Sequence, residues 1–481
     1  MTSDSTATAL LPRVEGVCAA AVVAGTPRGG PDHEIPDPAT GGRYDRVGWA
    51  SRGDVHDAVQ AARGTLPAWE GTRPRRRAQV LRAIAAEIRD HADALAVLIM
   101  RETGKRAAEA RAEAVFSAEY FDWFADAATM PTGSHLLNGD KRYLVGSRPV
   151  GVVAAVTPWN FPLSIPARKV AAALAAGCPV VLKPSELTPL SALAMLTIIE
   201  RHAPAGLVNI VNGDGEELTG ALVDHPDIAA VTFTGSTRVG TLVAQRAMKT
   251  MTRVTMELGG MAPFIIDADA DTELALDVLL VAKFRNNGAS CIAANNVYIH
   301  RDLYAEIVPA LADRISSLRV GAPEAGSTDV GPLLRPEHTE RLHTLVSEAE
   351  QQGCRTWKAE IPEQGWFYPP TLVAASTRTS LWSEEIFGPV CAVRPFQDVD
   401  EVVNEVNSRG TGLAGYIVSA DTERGLTTAA RLNVGIVGIN NGAPNTPEVP
   451  FGGVGLAGIG REGGIEGMRE FLEPQTITLA R

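Results

Sequence analysis

The chain has 481 residues, which at roughly 150 residues per domain is room for about three domains or subdomains. Hydrophobic residues at 45% and charged residues at 21% sit near globular averages and exclude a disordered, collagen-like or coiled-coil chain. A formal charge of −12, from 44 basic and 56 acidic side chains, repels phosphate backbones and anionic lipids, which argues against nucleic-acid or membrane-surface partners.

In chain order, Gly16 to Val23 is apolar and short. Glu15 precedes it and no cationic region stands before it, so it reads as an early strand and not as a signal core. The run Arg73-Pro74-Arg75-Arg76-Arg77 opens a solvated helix. From Pro74 to Ile99 the apolar positions Val80, Leu81, Ile84, Ile88, Leu95 and Leu98 recur at helical steps, predicting one amphipathic helix with a face on a sheet. After residue 148 the texture changes. Val150–Val156, Val180–Leu182, Val208–Val211, Ala230–Phe233 and Val254–Met256 alternate with segments long enough for crossover helices, a rhythm that predicts a doubly wound parallel sheet. A second series, from Phe264–Ile266 through Val297–Ile299 to Gly415–Val418, predicts another α/β unit. The glycine-rich tail Gly452–Gly467 reads as closely approached loops and turns. No apolar run approaches the roughly 18 residues of a membrane span. The 5 cysteines are widely spaced and lack any C-x-x-C pair, so neither a disulfide framework nor a metal site is expected, and a reducing cytoplasm fits.

Several segments bear chemistry. Two G-x-G-x-x-G matches, Gly453–Gly458 and Gly458–Gly463, neither follow a clear strand nor enter a βαβ unit, and so lack the setting of a pyrophosphate turn. Phe233-Thr234-Gly235-Ser236 is better placed: a strand runs into a glycine turn and a helix start, where backbone N–H groups and the Ser236 hydroxyl can meet phosphate oxygens. Cys291 lies among polar and glycine residues, Arg285-Asn286-Asn287-Gly288-Ala289-Ser290, whereas the other four cysteines read as small buried hydrophobes. A free thiol is only a few per cent ionised at pH 7, so a nucleophilic Cys291 needs a base or oriented amides nearby. Glu257, ending an apolar strand before Leu258-Gly259-Gly260, is the candidate base, with a salt bridge as its plain alternative.

Seven motifs, in order, then resemble the aldehyde dehydrogenase superfamily: Pro158-Trp159-Asn160-Phe161-Pro162, Lys183-Pro184-Ser185-Glu186, Phe233-Thr234-Gly235-Ser236-Thr237, Glu257-Leu258-Gly259-Gly260, the Cys291 segment, Glu385-Ile386-Phe387-Gly388-Pro389 and Pro450-Phe451-Gly452-Gly453. The resemblance covers nearly the whole chain, and detail around Arg168-Lys169 and Phe284-Arg285-Asn286 is most similar to the succinate-semialdehyde dehydrogenase branch. It implies a doubly wound cofactor domain over 1–130 and 150–257, an α/β catalytic domain over 258–471, and a β oligomerisation arm from 131–149 and 472–481. It implies Cys291 as nucleophile, Glu257 as base for water, and Asn160 with the Cys291 N–H as oxyanion hole, with Lys169 and Glu462 supporting a proton path or simply bridging each other. The expected cofactor is NAD. Lys183 and Glu186 match holders of the adenosine ribose, Ser236 faces the pyrophosphate, and Glu385 with Phe387 face the nicotinamide ribose. Thr157, Pro158, Trp159 and Ser185 continue that cleft. Gly215, Phe233, Gly235, Val239 and Leu258 complete it. A carboxylate at Glu186 repels a 2′-phosphate, which favours NAD over NADP.

The resemblance further implies Arg168, Arg285 and Asn445 as substrate contacts, a guanidinium fork suiting a carboxylate and equally a phosphonate or sulfonate, with pairing of either arginine to a protein carboxylate as the plain alternative. A short acid-terminated aldehyde such as succinic semialdehyde is expected, oxidised through a thiohemiacetal and a thioester by a homodimer or homotetramer. Competing readings are a neutral-aldehyde dehydrogenase, a CoA-acylating enzyme, which the retained Glu257 disfavours, and a non-enzymatic binding protein. The family's usual Gln is Ala289 here, which is expected to reshape the pocket wall beside the nucleophile. Ala293 leaves Cys291 without a neighbouring thiol.

Overall fold

The computed structural model describes residues 3–130, 132–374 and 379–480, so positions 131 and 481 of the expected arm lie outside the described residues. The expected early strand is two strands in different sheets. Strand β1, Val17–Cys18, pairs with Arg13–Val14 and with the Arg43–Gly48 strand, while β2, Ala21–Val23, pairs with β3, Thr26–Arg28. Between them Ala19 N–H is taken by Pro12 O and Ala20 N–H by Arg28 O, so the backbone changes partners and the ladder changes sheet.

The expected single helix over Pro74 to Ile99 is also two, α1 (Pro74–Asp90) and α2 (Ala92–Thr103). Proline at the first helical position starts α1. The break falls at His91, whose φ and ψ of −104° and 13° leave the helix and whose ring nitrogen Nδ1, at 3.0 Å, shares the Glu87 carbonyl oxygen with its own backbone N–H at 3.1 Å. The apolar face of α1 packs on other helices, chiefly α3 (Ala107–Ala127), and not on a sheet. Gly104, at φ 77°, ends α2 in the left-handed conformation.

Strands β4 (Ser134–Asn138) and β5 (Lys141–Pro149) then form an antiparallel hairpin. The first large sheet follows: β6 (Val152–Val156), α4 (Ser164–Ala176), β7 (Val180–Lys183), β8 (Val208–Val211), β9 (Ile228–Thr234), α5 (Thr237–Ala247) and β10 (Arg253–Glu257). Its strand order runs Gly458–Ile459, β10, β9, β6, β7, β8, β2, β3, with a parallel centre and antiparallel edges. The central strands β6, β7, β8 and β9 are rich in Val, Ile and Ala and buried on both faces, as helix-covered parallel strands must be. The sheet is built outward from β6 in both directions, so a crevice opens at the carboxyl ends of β6 and β9, where ligands of such sheets bind.

The second sheet comprises β11 (Ala262–Ile266), β12 (Ala294–His300), β13 (Arg355–Lys358), β14 (Thr371–Ala374), β15 (Val390–Phe396), β16 (Ala414–Val418) and β17 (Ile436–Ile439), in the order β13, β14, β15, β12, β11, β16, β17. Only β13 runs antiparallel among the described strands of this sheet. The tail is not all loop. Gly458–Ile459 returns to the first sheet and pairs with Met256 and Glu257. A Cβ on Gly458 would stand 2.1 Å from Met256 O, so the glycines there serve close backbone approach to the strand that ends in Glu257. The last strand, β18 (Leu472–Leu479), joins β5 and β4 in a three-stranded sheet that leaves Leu136, Leu137, Leu144, Ile477 and Leu479 exposed. Among the described residues no helix is long and apolar enough to cross a membrane.

Candidate active site

The crevice at the ends of β6 and β9 is a cleft of about 870 Å³, lined by Thr157, Pro158 and Trp159 after β6, by Lys183, Ser185 and Glu186 after β7, and by Gly215. Phe233, Gly235, Ser236 and Val239 form its other wall. Ser236 caps α5, its Oγ accepting the Val239 N–H at 3.4 Å. Helix and sheet close up because residue 240 is glycine: a Cβ there would meet Leu258 Cδ2 at 2.2 Å. Lys183 Nζ and Glu186 Oε2 stand 3.0 Å apart at the mouth. The cleft continues into a cavity of about 470 Å³ lined by Trp159, Asn160, Glu257, Leu258, Glu385, Phe387 and Cys291. Every residue expected to touch the cofactor therefore lines one continuous surface.

Cys291 belongs to the second unit. Helix α6 (Thr272–Phe284) ends in Arg285, and Asn286, Asn287 and Gly288 follow at φ 57°, 55° and 72°. Three successive left-handed residues are costly unless the surroundings fix them. Asn286 Nδ2 donates to Asn160 O at 3.0 Å and to Ala289 O at 2.8 Å, and Asn287 donates to Pro332 O at 2.9 Å while accepting the Gly331 N–H at 2.8 Å. A Cβ on Gly288 would meet Gly388 O at 2.3 Å. This locked turn delivers Cys291, half-buried while the other four cysteines are buried, to the wall shared by the cofactor cavity and a second cavity of about 250 Å³. Burial pushes its thiol up to about 12, Arg168 pulling it down and Glu385 and Glu257 adding to the rise.

Glu257 faces the thiol from the end of β10. It is buried, and among the described residues it makes no ion pair and neither carboxylate oxygen has a hydrogen-bond partner. Burial, then the charge of Glu462, holds its carboxyl well above the ordinary carboxylate range. Glycine at 452 leaves it room, since a Cβ there would stand 2.6 Å from Oε1. Asn160, also buried, spends one amide N–H on Ala289 O at 3.0 Å. Ala289 itself lines neither cavity and enters the site through its carbonyl, which accepts from the Asn160 and Asn286 side-chain amides. Lys169 and Glu462 stand behind both cavities, bonded to each other, with Lys169 Nζ 2.8 Å and Glu462 Oε1 3.1 Å from Thr232 Oγ1. Burial works to raise Glu462, but Arg168 and Lys169 outweigh it and hold its carboxyl low.

The second cavity receives Arg168, Arg285 and Asn445 together. Their electrostatics differ. Arg168 Nε lies 2.6 Å from Glu462 Oε2, off the line of an aligned hydrogen bond, and its guanidinium stands 4.5 Å over the Phe451 ring. The other charges of this wall are paired as well: Lys105 with Glu113, and Glu109 with Arg106 at 3.3 Å. Arg285, half-buried, has no ion pair and no side-chain hydrogen bond among the described residues. Asn445 Nδ2 reaches Tyr120 OH at 3.4 Å, while its Oδ1 has no partner among the described residues.

Sequence reading missed the wall that α3 supplies, Glu109, Glu113, Phe116 and Tyr120, and also Lys105. It missed helix α7 (Pro336–Gln351) as well, from which His338 stacks on Trp159 at 4.9 Å and Arg341 holds Glu385 O at 2.7 Å and Ile386 O at 3.0 Å. These residues sit far from any motif, and their helical spacing is indistinguishable from that of an ordinary amphipathic helix.

A doubly wound sheet with a dinucleotide-sized crevice, facing a second α/β unit across a cysteine, is the architecture of a nicotinamide-dependent dehydrogenase. Residues 27–477 match the aldehyde dehydrogenase family, and the chain belongs to it, an oxidoreductase that acts on aldehydes with NAD(P). It is 38% identical over 444 residues, 91% of this chain and 90% of the relative, to the probable NADP(+) succinate-semialdehyde dehydrogenase of Sinorhizobium fredii. It is 37% identical to the 3-sulfolactaldehyde dehydrogenase of Pseudomonas putida, over 92% of this chain and 93% of that one. The crystal structure of succinate-semialdehyde dehydrogenase from Burkholderia pseudomallei superposes with a TM-score of 0.94 at 33% identity, covering 98% of this chain and 100% of that one.

Proposed function

We propose that the protein oxidises a short aldehyde carrying one anionic group, with succinic semialdehyde the best candidate, to the corresponding acid, using NAD. The observation that carries this reading is Arg285: a half-buried guanidinium without a partner among the described residues, in the wall of the cavity that ends at Cys291. A desolvated, unmatched cation is a standing demand for an anion, and every other charge on that wall is already matched.

Cys291 gives up its thiol proton to water, and Sγ adds to the aldehyde carbon. The oxygen that becomes negative is held by the Cys291 N–H and by the Asn160 amide hydrogen not given to Ala289, two preorganised donors of which one is typically worth about 3–4 kcal/mol in the transition state. Bound nicotinamide supplies the hydride acceptor. Loss of hydride from the thiohemiacetal carbon leaves a thioester on Sγ. Glu257, desolvated and free of partners, then takes a proton from water as the water oxygen attacks the thioester carbonyl. The C–S bond breaks, Glu257 returns that proton to Sγ, and the acid leaves and ionises. Lys169 and Glu462 bear on Glu257 through their charges and offer the proton a way inward. Overall, aldehyde, NAD and water give carboxylate, NADH and two protons.

For the cofactor, the fit is supported by the Ser236-capped start of α5 for the pyrophosphate and by Lys183 with Glu186 for the adenosine ribose. The Glu186 carboxylate accepts hydrogen bonds from ribose hydroxyls and repels a 2′-phosphate, which is why NAD is proposed over NADP. The exposed apolar edge of the β18–β5–β4 sheet fits an arm that joins copies of this chain as a homodimer or homotetramer. A sulfonate tail is the second reading, since a single guanidinium suits it equally and a relative is a 3-sulfolactaldehyde dehydrogenase. Steady-state kinetics with carboxylated, sulfonated, phosphonylated and neutral aldehydes of matched length, each with both nicotinamide cofactors, tests the proposal. Comparable kcat/KM for charged and neutral aldehydes would remove the anionic tail from it.

A further inference from the structure

We propose that Lys105 and Glu113, a buried ion pair in the wall of the aldehyde cavity, position Asn160, holding its amide where oxyanion charge develops. The inference rests on the reading of Asn160 as an oxyanion donor. Lys105 follows the left-handed Gly104 that ends α2, and Glu113 lies on α3, so neither belongs to the segment that carries Asn160. Lys105 Nζ donates to Asn160 O at 2.9 Å and to a Glu113 carboxylate oxygen, and it stands 4.4 Å over the Phe161 ring. The other Glu113 oxygen, Oε1, accepts the N–H groups of Leu163 at 3.0 Å and Ser164 at 3.1 Å, the amides that open α4. The pair therefore grips both ends of the 160–164 turn, one at its carbonyl and one at its amides.

From the opposite side Asn286 Nδ2 donates to the same Asn160 carbonyl at 3.0 Å, and Ala289 O takes one hydrogen of the Asn160 side-chain amide at 3.0 Å. The Asn160 peptide is thus fixed by two donors and its side chain by one acceptor, which leaves a single amide hydrogen with one direction in which to point. Lys105, Glu113 and Asn160 are all buried. Replacing a buried pair by apolar side chains is often neutral for stability or better, so fold stability alone gives little reason for an ion pair here. Orientation of a neighbouring dipole does, because a donor displaced by a fraction of an ångström gives up much of its worth in the transition state.

The test is a double-mutant cycle on the full-length enzyme, read as the single-turnover rate of NADH formation, with cofactor Kd from protein fluorescence and Tm measured alongside. Lys105→Met is expected to slow the single turnover by roughly 30- to 300-fold, approaching the loss from removing an oxyanion donor, with cofactor Kd changed less than about threefold. In an Asn160→Ala background the same substitution is expected to have little further effect, because the donor it orients is gone. Glu113→Gln, which keeps an acceptor for the α4 amides, and Lys105→Gln, which keeps a donor for the Asn160 carbonyl, serve if Lys105→Met does not fold, and each is expected to fall between wild type and Lys105→Met. Multiplicative losses in the double variant, or an undiminished single turnover in all three single variants, would overturn the positioning role alone. An Asn160→Ala enzyme that turns over at full rate would instead overturn the oxyanion reading, and with it this inference.

Discussion

Removing Arg285 is the sharpest perturbation of the substrate reading, because it is the charge on the aldehyde cavity wall left without a partner among the described residues. A charge-assisted hydrogen bond to a carboxylate is worth about 1.5–3 kcal/mol, and about 1.4 kcal/mol is tenfold in affinity. Arg285→Ala should therefore raise KM for succinic semialdehyde by roughly 10- to 150-fold. A neutral aldehyde of the same length never used the guanidinium, so its KM should move less than about threefold, the scale of a lost packing contact. Because Arg285 makes no ion pair among the described residues, the substitution leaves none of their carboxylates stranded, and the change in KM reads the substrate contact directly. Arg285→Lys keeps the charge but loses the planar fork and should fall between the two. Initial rates of NADH formation over a concentration series of each aldehyde supply the numbers. Equal losses on the anionic and the neutral aldehyde would refute the reasoning, since they would mean that Arg285 holds up the cavity and not the substrate.

The remaining predictions concern the thiol, the base and the cofactor. With its thiol pushed up to about 12, Cys291 in the cofactor-free enzyme should react with iodoacetamide at a rate that climbs about tenfold per pH unit from about pH 7 to about pH 10 without a plateau, and Cys291→Ser should abolish that labelling together with turnover. Glu257→Gln should still give a burst of NADH but stall at the thioester, losing steady-state rate by about 100-fold or more. The same substitution reports on stability. The folded carboxyl of Glu257 is raised above its unfolded value, so its ionisation costs the native state increasingly as pH rises through that raised value. Tm of Glu257→Gln relative to wild type should accordingly be higher at about pH 8 than at about pH 5, and an unchanged difference across that range would contradict a buried, unpaired carboxylate. Glu186→Gln should narrow the preference for NAD over NADP by about tenfold or more, the order of magnitude of removing one like-charge contact; an unaltered ratio would move the selectivity elsewhere in the cleft.

The sequence by itself determined what is local and periodic. The β-branched runs around Val152, Val180, Val208, Ile228 and Val254 are strands because residues buried on both faces of a parallel sheet must be apolar throughout. Asn160, Glu257, Cys291 and the cofactor-cleft residues stand within short motifs whose backbone geometry the neighbouring glycines and asparagines encode. Tertiary structure alone decided the rest. That Ala21–Val23 leaves one sheet for another depends on which strand edge lies beside it. Arg168 and Arg285 look alike in the chain. Only the approach of Glu462 from the distant tail matches one and leaves the other without a partner among the described residues, because the net charge of a cavity wall is set by which side chains the fold brings within a few ångströms, and sequence spacing carries no record of that.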